Sequence, residues 1–224
     1  MRAMILAAGR GERLRPLTDA TPKPLLRAGG RTLLDWHLSA LAEAGFREVI
    51  INIAWLSGQI RAAVGDGGAH GLRIHFSDEG EEALETAGGI VRALELLGPE
   101  PFAVINGDIW TDYPRERLAP PQGGDLAHLV LVDNPAHNPT GDFALRGDRV
   151  DCGSGPRLTF AGIGVYSPAL FADQPAVTAP LAPLLRAAAA AGRLAGEHYR
   201  GEWHDVGTPN RLSALTQRLA GPAW

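Results

Sequence analysis

An α/β fold is predicted here, a mainly parallel twisted sheet with helices on both faces and a small antiparallel insertion, and three observations predict it. Short apolar segments alternate with helical patterns as far as Asp133. The first of these segments runs straight into a basic, glycine-broken loop. A later one ends in Asn106-Gly107-Asp108, which puts an acid at the carboxyl rim where such sheets meet their ligands.

Strands are expected at Ala3 to Leu6, Glu48 to Ile53, Leu72 to Phe76, Phe102 to Asn106 and Ala127 to Asp133, each short, apolar and bounded by turn residues. The helix between the first two has clear ends. Thr32 is its N-cap with Asp35 three residues on, Leu34, Leu38, Leu41 and Ala42 share a face, and Gly45 stops it. Further helices are expected at Leu56 to Val64, at Ala87 to Leu97 before Gly98-Pro99, and in a short piece at Pro114 to Leu118. After Asp133 the Asn/Pro/Gly-rich stretch Asn134 to Gly141 breaks the alternation, and Phe143 to Leu145 and Leu158 to Tyr166 read as an antiparallel insertion over one edge of the site. Leu181 to Ala191 reads as helix, Ala195 to Tyr199 as strand, and Thr208-Pro209 as the start of a last helix to Leu219. His37, Trp36 and Trp55 read as packing residues.

The loop from Leu6 to Lys23 reads LAAGRGERLRPLTDATPK. Its glycines let backbone N–H groups approach a ligand closely, while Arg13 and Lys23 bring mobile positive charge, a combination that suits a nucleoside triphosphate. A dinucleotide loop would need glycine at Leu14 and an acid at Asn52, and no Gly-Lys-Ser/Thr triplet exists for a P-loop. An ordinary strand-to-helix turn with solvated arginines is the competing reading, and so much charge in so long a loop weighs against it.

Two aspartates are candidate magnesium ligands, Asp108 after the apolar strand and Asp205 just before the last helix. Magnesium takes one or two carboxylates and completes its shell with phosphate and water. Taken alone, Asp108 also reads as a turn and Asp205 as a solvated residue ahead of a helix. The small-residue stretch Thr86-Ala87-Gly88 offers backbone to a flat base, with helix capping by Thr86 as its alternative.

The 224 residues, expected to form one domain over 1–224, are 45% hydrophobic and 21% charged, as in ordinary globular proteins. A net charge of -4 and a pI near 6.0 give no general attraction to nucleic acid. Cys152 is the only cysteine, so an internal disulfide is excluded, and no Cys/His cluster has zinc-site spacing. Without signal-peptide features or a long apolar stretch, a cytoplasmic protein with no membrane partner is expected, as monomer or small homo-oligomer.

Leu6 to Thr18 and Pro22-Lys23-Pro24 match the signature L-A-A-G-x-G-x-R-L-x-P-L-T followed by P-K-P, and the chain thereby resembles the sugar-1-phosphate nucleotidyltransferases. Within that group it is most similar to the short uridylyltransferases acting on N-acetylmuramic acid 1-phosphate in cell-wall recycling. Leu84-Glu85-Thr86, Asn106 to Tyr113, Leu131 to Pro135, Gly141-Asp142-Phe143 and Gly196 to Gly201 carry that likeness.

The resemblance implies a Rossmann-like nucleotide-diphospho-sugar transferase fold, UTP and a sugar 1-phosphate as substrates, and Mg2+ as cofactor. It assigns Ala8, Gly9, Gly11, Glu12, Arg13, Lys23, Thr86 and Gly88 to the nucleotide, and Arg13, Lys23 and Asp108 to catalysis. Asp108 and Asp205 go to the metal, and Asn106, Gly141 and Asp142 to the sugar phosphate. The chain ends soon after Asp205, so no C-terminal β-helix and a single activity are expected. Glu85 stands where many hexose-specific members have glycine, and their Glu-Lys-Pro segment has no counterpart. Glucose or mannose phosphate with dTTP or GTP stays open as substrate, and so does a non-catalytic nucleotide-binding role.

Overall fold

The structure, a computed structural model, describes residues 1–220. In chain order it begins with β1 (Ala3–Leu6), α1 (Leu17–Ala20), β2 (Arg27–Ala28), β3 (Arg31–Thr32), α2 (Leu33–Glu43), β4 (Glu48–Ile53), α3 (Ser57–Val64), β5 (Arg73–Asp78) and α4 (Glu85–Leu97). It continues with β6 (Phe102–Asn106), β7 (Ile109–Thr111), β8 (Ala127–Val132), β9 (Phe143–Arg146), β10 (Arg149–Asp151) and β11 (Arg157–Tyr166). The last elements are α5 (Ala182–Ala190), β12 (Leu194–Tyr199), β13 (Trp203–Asp205) and α6 (Pro209–Ala220).

Nine strands form one sheet in the order β5-β4-β1-β6-β11-β8-β12-β10-β9. The first four run parallel, with Ile5 level with Ile51 on one side and Ile105 on the other. β11 then runs antiparallel to both β6 and β8, and β12 returns parallel to β8. Alternation along the strands feeds two cores. Ala3 and Ile5 face Leu34, Leu38 and Leu41 of α2 and Ile60 of α3, whereas Met4 and Ile50 face Ala87, Ile90 and Ala93 of α4. Leu181, Leu185 and Ala188, from α5 and its N-terminal flank, extend the second core.

Local chemistry explains the helix ends. Thr32 Oγ1 accepts the Asp35 N–H at 3.0 Å, and the Phe46 N–H returns to the Leu41 carbonyl at 3.0 Å past Gly45 at φ +85°. At α6 the Arg211 N–H reaches Thr208 Oγ1 at 3.4 Å. Thr86 does not cap α4, because that helix begins one residue earlier, at Glu85, with Leu84 at the N-cap position.

The antiparallel part borders the site through Phe143 and Phe160, and β9 and β10 end the sheet, but it is not confined to an edge. β11 is a central strand, and its register breaks at a bulge between Phe160 and Gly164. Bulge and glycines interrupt the period-two pattern that marks an interior strand. Two small ribbons, β2 with β3 and β7 with β13, were not expected, since strands of two or three residues leave no periodic trace. Ala28, Leu33, Val206 and Leu215 join the first ribbon to α6 in a third cluster.

His37 lies on α2 with 1% of its surface exposed. Burial, reinforced by the Arg115 charge, pushes its imidazole down to about 3. A buried base held neutral favours the fold at pH above the ordinary histidine range. As pH falls below 6.5 the unfolded chain takes up the proton first, so stability is lost between 6.5 and about 3. At pH 4.5 this single group should cost on the order of 2 kcal/mol. Urea unfolding of the wild type and His37→Gln at pH 7 and pH 4.5 tests this, and the variant should lose less stability between the two.

Candidate active site

β1 is the strand at which the winding reverses: the chain passes from β1 to β4 and β5 on one side and places β6 on the other. The crevice beyond β1 and β6 is therefore the topological switch point. A cleft of about 230 Å³ opens there, lined by Ala7, Ala8, Gly9 and Gly11 from the first loop and by Asn106, Gly107 and Asp108 from the end of β6. Lys23, Asn52, Glu79, Glu85 and Thr86 also line it.

The loop's arginines divide by role. Arg10 stacks on the Trp55 ring at 3.7 Å and donates to the Thr18 carbonyl at 2.8 Å, which also accepts the Trp55 indole N–H at 2.9 Å. Arg10 and Arg15 both pair with Asp19, at 2.9 and 2.8 Å. These contacts fix the loop rather than address a ligand. Arg13 is exposed and makes no ion pair among the described residues, which leaves its charge available. Glu12 is exposed too and lies near Arg10 and Arg15, at 3.8 and 3.7 Å.

Lys23 Nζ meets Asp108 Oδ2 at 2.5 Å across the cleft mouth. The lysine side chain is 12% exposed and the aspartate 33%, so the acid keeps an open flank toward the cleft. Gly107 crosses directly over the end of β1, its N–H on the Leu6 carbonyl at 2.9 Å. A Cβ there would lie 2.5 Å from that carbonyl oxygen, so only glycine brings Asp108 so near the first loop. Asp205 arrives on β13 opposite Ile109, and the Val206 N–H donates to the Asp108 carbonyl at 2.8 Å. Its carboxylate faces Arg211 Nη1 at 2.8 Å and His137 Nε2 at 3.0 Å, not the cleft lining.

Asn52 and Glu79, which the sequence reading did not select, form the buried floor. Asn52 Oδ1 accepts the Ala7 N–H at 2.7 Å and its Nδ2 donates to Glu79 Oε1 at 2.6 Å. Glu79 Oε2 in turn accepts the Leu84 N–H at 2.7 Å. With 3% and 8% of their surfaces exposed, these two side chains tie the first loop to the start of α4. A polar residue closing an otherwise apolar strand was the available signal.

A second pocket continues from the first and shares Glu85, Thr86 and Asn106 with it. Asp142 lines this neighbour, with its carboxylate accepting from the Phe160 N–H at 2.8 Å and Asn138 Nδ2 at 3.2 Å. Asn106 and Asp142 thus line one pocket together, whereas Gly141 is buried in a turn at φ +64° and lines neither pocket. Gly88 does not stand with the other residues expected at the nucleotide. It packs under the 177–179 segment, where a Cβ would lie 2.2 Å from the Val177 carbonyl oxygen, and lines neither pocket. Glu85, at the boundary, has φ +57°, in the left-handed backbone region that favours glycine.

Among the described residues no three His, Cys, Asp or Glu side chains cluster as a metal cage. That fits a cation held largely by phosphate oxygens, for which one open carboxylate suffices. Asp108 has that open flank. Asp205 fits only if Arg211 and His137 release it.

Together, a basic glycine loop at the switch point and an acid facing it define a nucleotide-handling α/β protein. Residues 2–121 match the family model described as Nucleotidyl transferase, and the chain belongs to that family. The N-acetylmuramate alpha-1-phosphate uridylyltransferase of Neisseria meningitidis serogroup B is 50% identical over 233 residues, covering 100% of both chains. Its counterpart by name in Caulobacter vibrioides is 35% identical over 97% of this chain and 96% of its own. A solved Bacillus anthracis structure, of a protein assigned as a glucose-1-phosphate thymidylyltransferase, superimposes with a TM-score of 0.85 at 19% identity, over 100% of this chain and 97% of that one. That likeness shows the fold.

Replacing Asn52 by Ala leaves the Ala7 N–H and a Glu79 oxygen unpaired in a buried place. A loss of about 1–3 kcal/mol in urea unfolding is expected, together with a raised KM for the nucleotide. An unchanged midpoint and KM would remove Asn52 from the framework of the site.

Proposed function

We propose that the protein transfers UMP from UTP to N-acetylmuramic acid 1-phosphate, giving UDP-N-acetylmuramic acid and pyrophosphate. The identity of 50% with the Neisseria enzyme over the whole of both chains supports the substrate pair. The meeting of Lys23 and Asp108 at the switch-point cleft supports the chemistry and is the observation that carries it. The setting we propose is recovery of cell-wall sugar in the cytoplasm. Among the described residues no helix is long and apolar enough to cross a membrane.

The attacking oxygen belongs to a phosphate whose second pKa is roughly 6, so it is largely ionised at neutral pH and needs no protein base. The work of the site is then to place two anions in line and neutralise their charge. Backbone groups of Ala8 to Gly11 receive the triphosphate. Lys23 turns from Asp108 to the α-phosphate, and Arg13, unpaired and exposed, balances the departing pyrophosphate. Magnesium, when bound, neutralises the reacting phosphates, and Asp108 would hold it, with Asp205 as a second ligand if its cations release it. Asn106 and Asp142 serve the sugar side.

Pyrophosphate release with UTP, dTTP and GTP crossed against N-acetylmuramic acid, N-acetylglucosamine, glucose and mannose 1-phosphates tests the reading. Release should be greatest with UTP and N-acetylmuramic acid 1-phosphate. Preference for another pair would move the substrate assignment, and no release at all would overturn the enzymatic one. Asp108→Asn and Lys23→Ala should each lower kcat by roughly 10²-fold or more without changing the thermal midpoint greatly. Near-normal turnover in either would remove that residue from the reacting centre.

A further inference from the structure

The pocket next to the nucleotide cleft has a chemical character of its own. One wall is apolar, built from Phe143, Phe160, Leu181 and Leu185. The only cation in its lining is Arg186, on the exposed side of α5 one turn from the helix start. Arg186 makes no ion pair among the described residues. Of the two acids in the lining, Asp142 has its carboxylate occupied by the Phe160 N–H and by Asn138. Glu85 lies at the opposite end, on the boundary with the nucleotide cleft.

An apolar wall with a single unpaired guanidinium fits a small substituent that carries a carboxylate beside a methyl group. The lactyl ether is such a substituent, and it is what distinguishes N-acetylmuramic acid from N-acetylglucosamine. We infer that Arg186 is the specificity residue for the acceptor sugar: its guanidinium pairs with the lactyl carboxylate while the apolar wall takes the methyl. This rests on the functional reading above and deepens it. A guanidinium presents parallel N–H donors to a carboxylate, which a neutral sugar cannot use, so the arginine discriminates on charge rather than on the ring.

Steady-state kinetics with both acceptors, N-acetylmuramic acid and N-acetylglucosamine 1-phosphates, test it on the wild type, Arg186→Gln and Arg186→Lys. In Arg186→Gln the KM for the muramic acceptor should rise roughly tenfold or more. KM for UTP and the kcat/KM for the glucosamine acceptor should stay as they are, and Arg186→Lys should restore part of the muramic preference. An unchanged KM for the muramic acceptor, or an equal loss with both acceptors, would overturn the assignment while leaving the reaction in place. A wild-type protein that does not turn over the muramic acceptor would overturn the functional reading and the assignment with it.

Discussion

Lys23 and Asp108 stand 85 positions apart and meet at 2.5 Å, and the site is organised around that meeting. It needs β1 and β6 side by side and parallel, so that the loop leaving one strand crosses the turn leaving the other. It also needs a loop that holds its shape, which Arg10, Trp55 and Asp19 supply from outside the cleft. As a contribution to stability a partly exposed ion pair counts for little, about 0–1 kcal/mol. Its value is positional. An amine and a carboxylate are held against each other beside the glycine loop, placed, on the function proposed above, to exchange partners when phosphate and cation arrive.

The buried Asn52–Glu79 chain makes a similar point about cost. The hydrogen bond between the two side chains mainly offsets desolvation, but an apolar pair in their place would leave the N–H groups of Ala7 and Leu84 without acceptors. What the polar pair adds is a fixed distance between the backbone of Ala7 and the start of α4, the two segments that flank the nucleotide cleft. The same logic accounts for Gly88, which lines neither pocket. Its missing side chain serves the close packing of the segment around Val177, which positions α5 and with it the wall of the neighbouring pocket.

Much of this was legible in the sequence wherever a single segment carries the signal. The boundaries of β1, β4 and β6 follow from apolar runs between turn residues, and α2 from its cap and its one-sided leucines. The first loop and Asp108 stood out because charge and glycine are concentrated there. What the letters did not carry depends on distant partners. The place of β11 in the middle of the sheet is set by strands on both sides of it, and its own pattern is broken by a bulge. Which loop arginines clamp and which remain unpaired depends on Trp55 and Asp19, and the engagement of Asp205 by Arg211 and His137 depends on two further segments. Asn52 and Glu79 become site residues only when three strands and a helix meet.

We propose that Asp108 is the point where nucleotide and divalent cation come together. Calorimetric titration of UTP into the wild type and into Asp108→Asn, each with and without magnesium, tests that most directly because it reads binding apart from turnover. Magnesium should tighten UTP binding to the wild type and have little effect on the variant. Equal tightening in both proteins would contradict it and would move the cation away from Asp108.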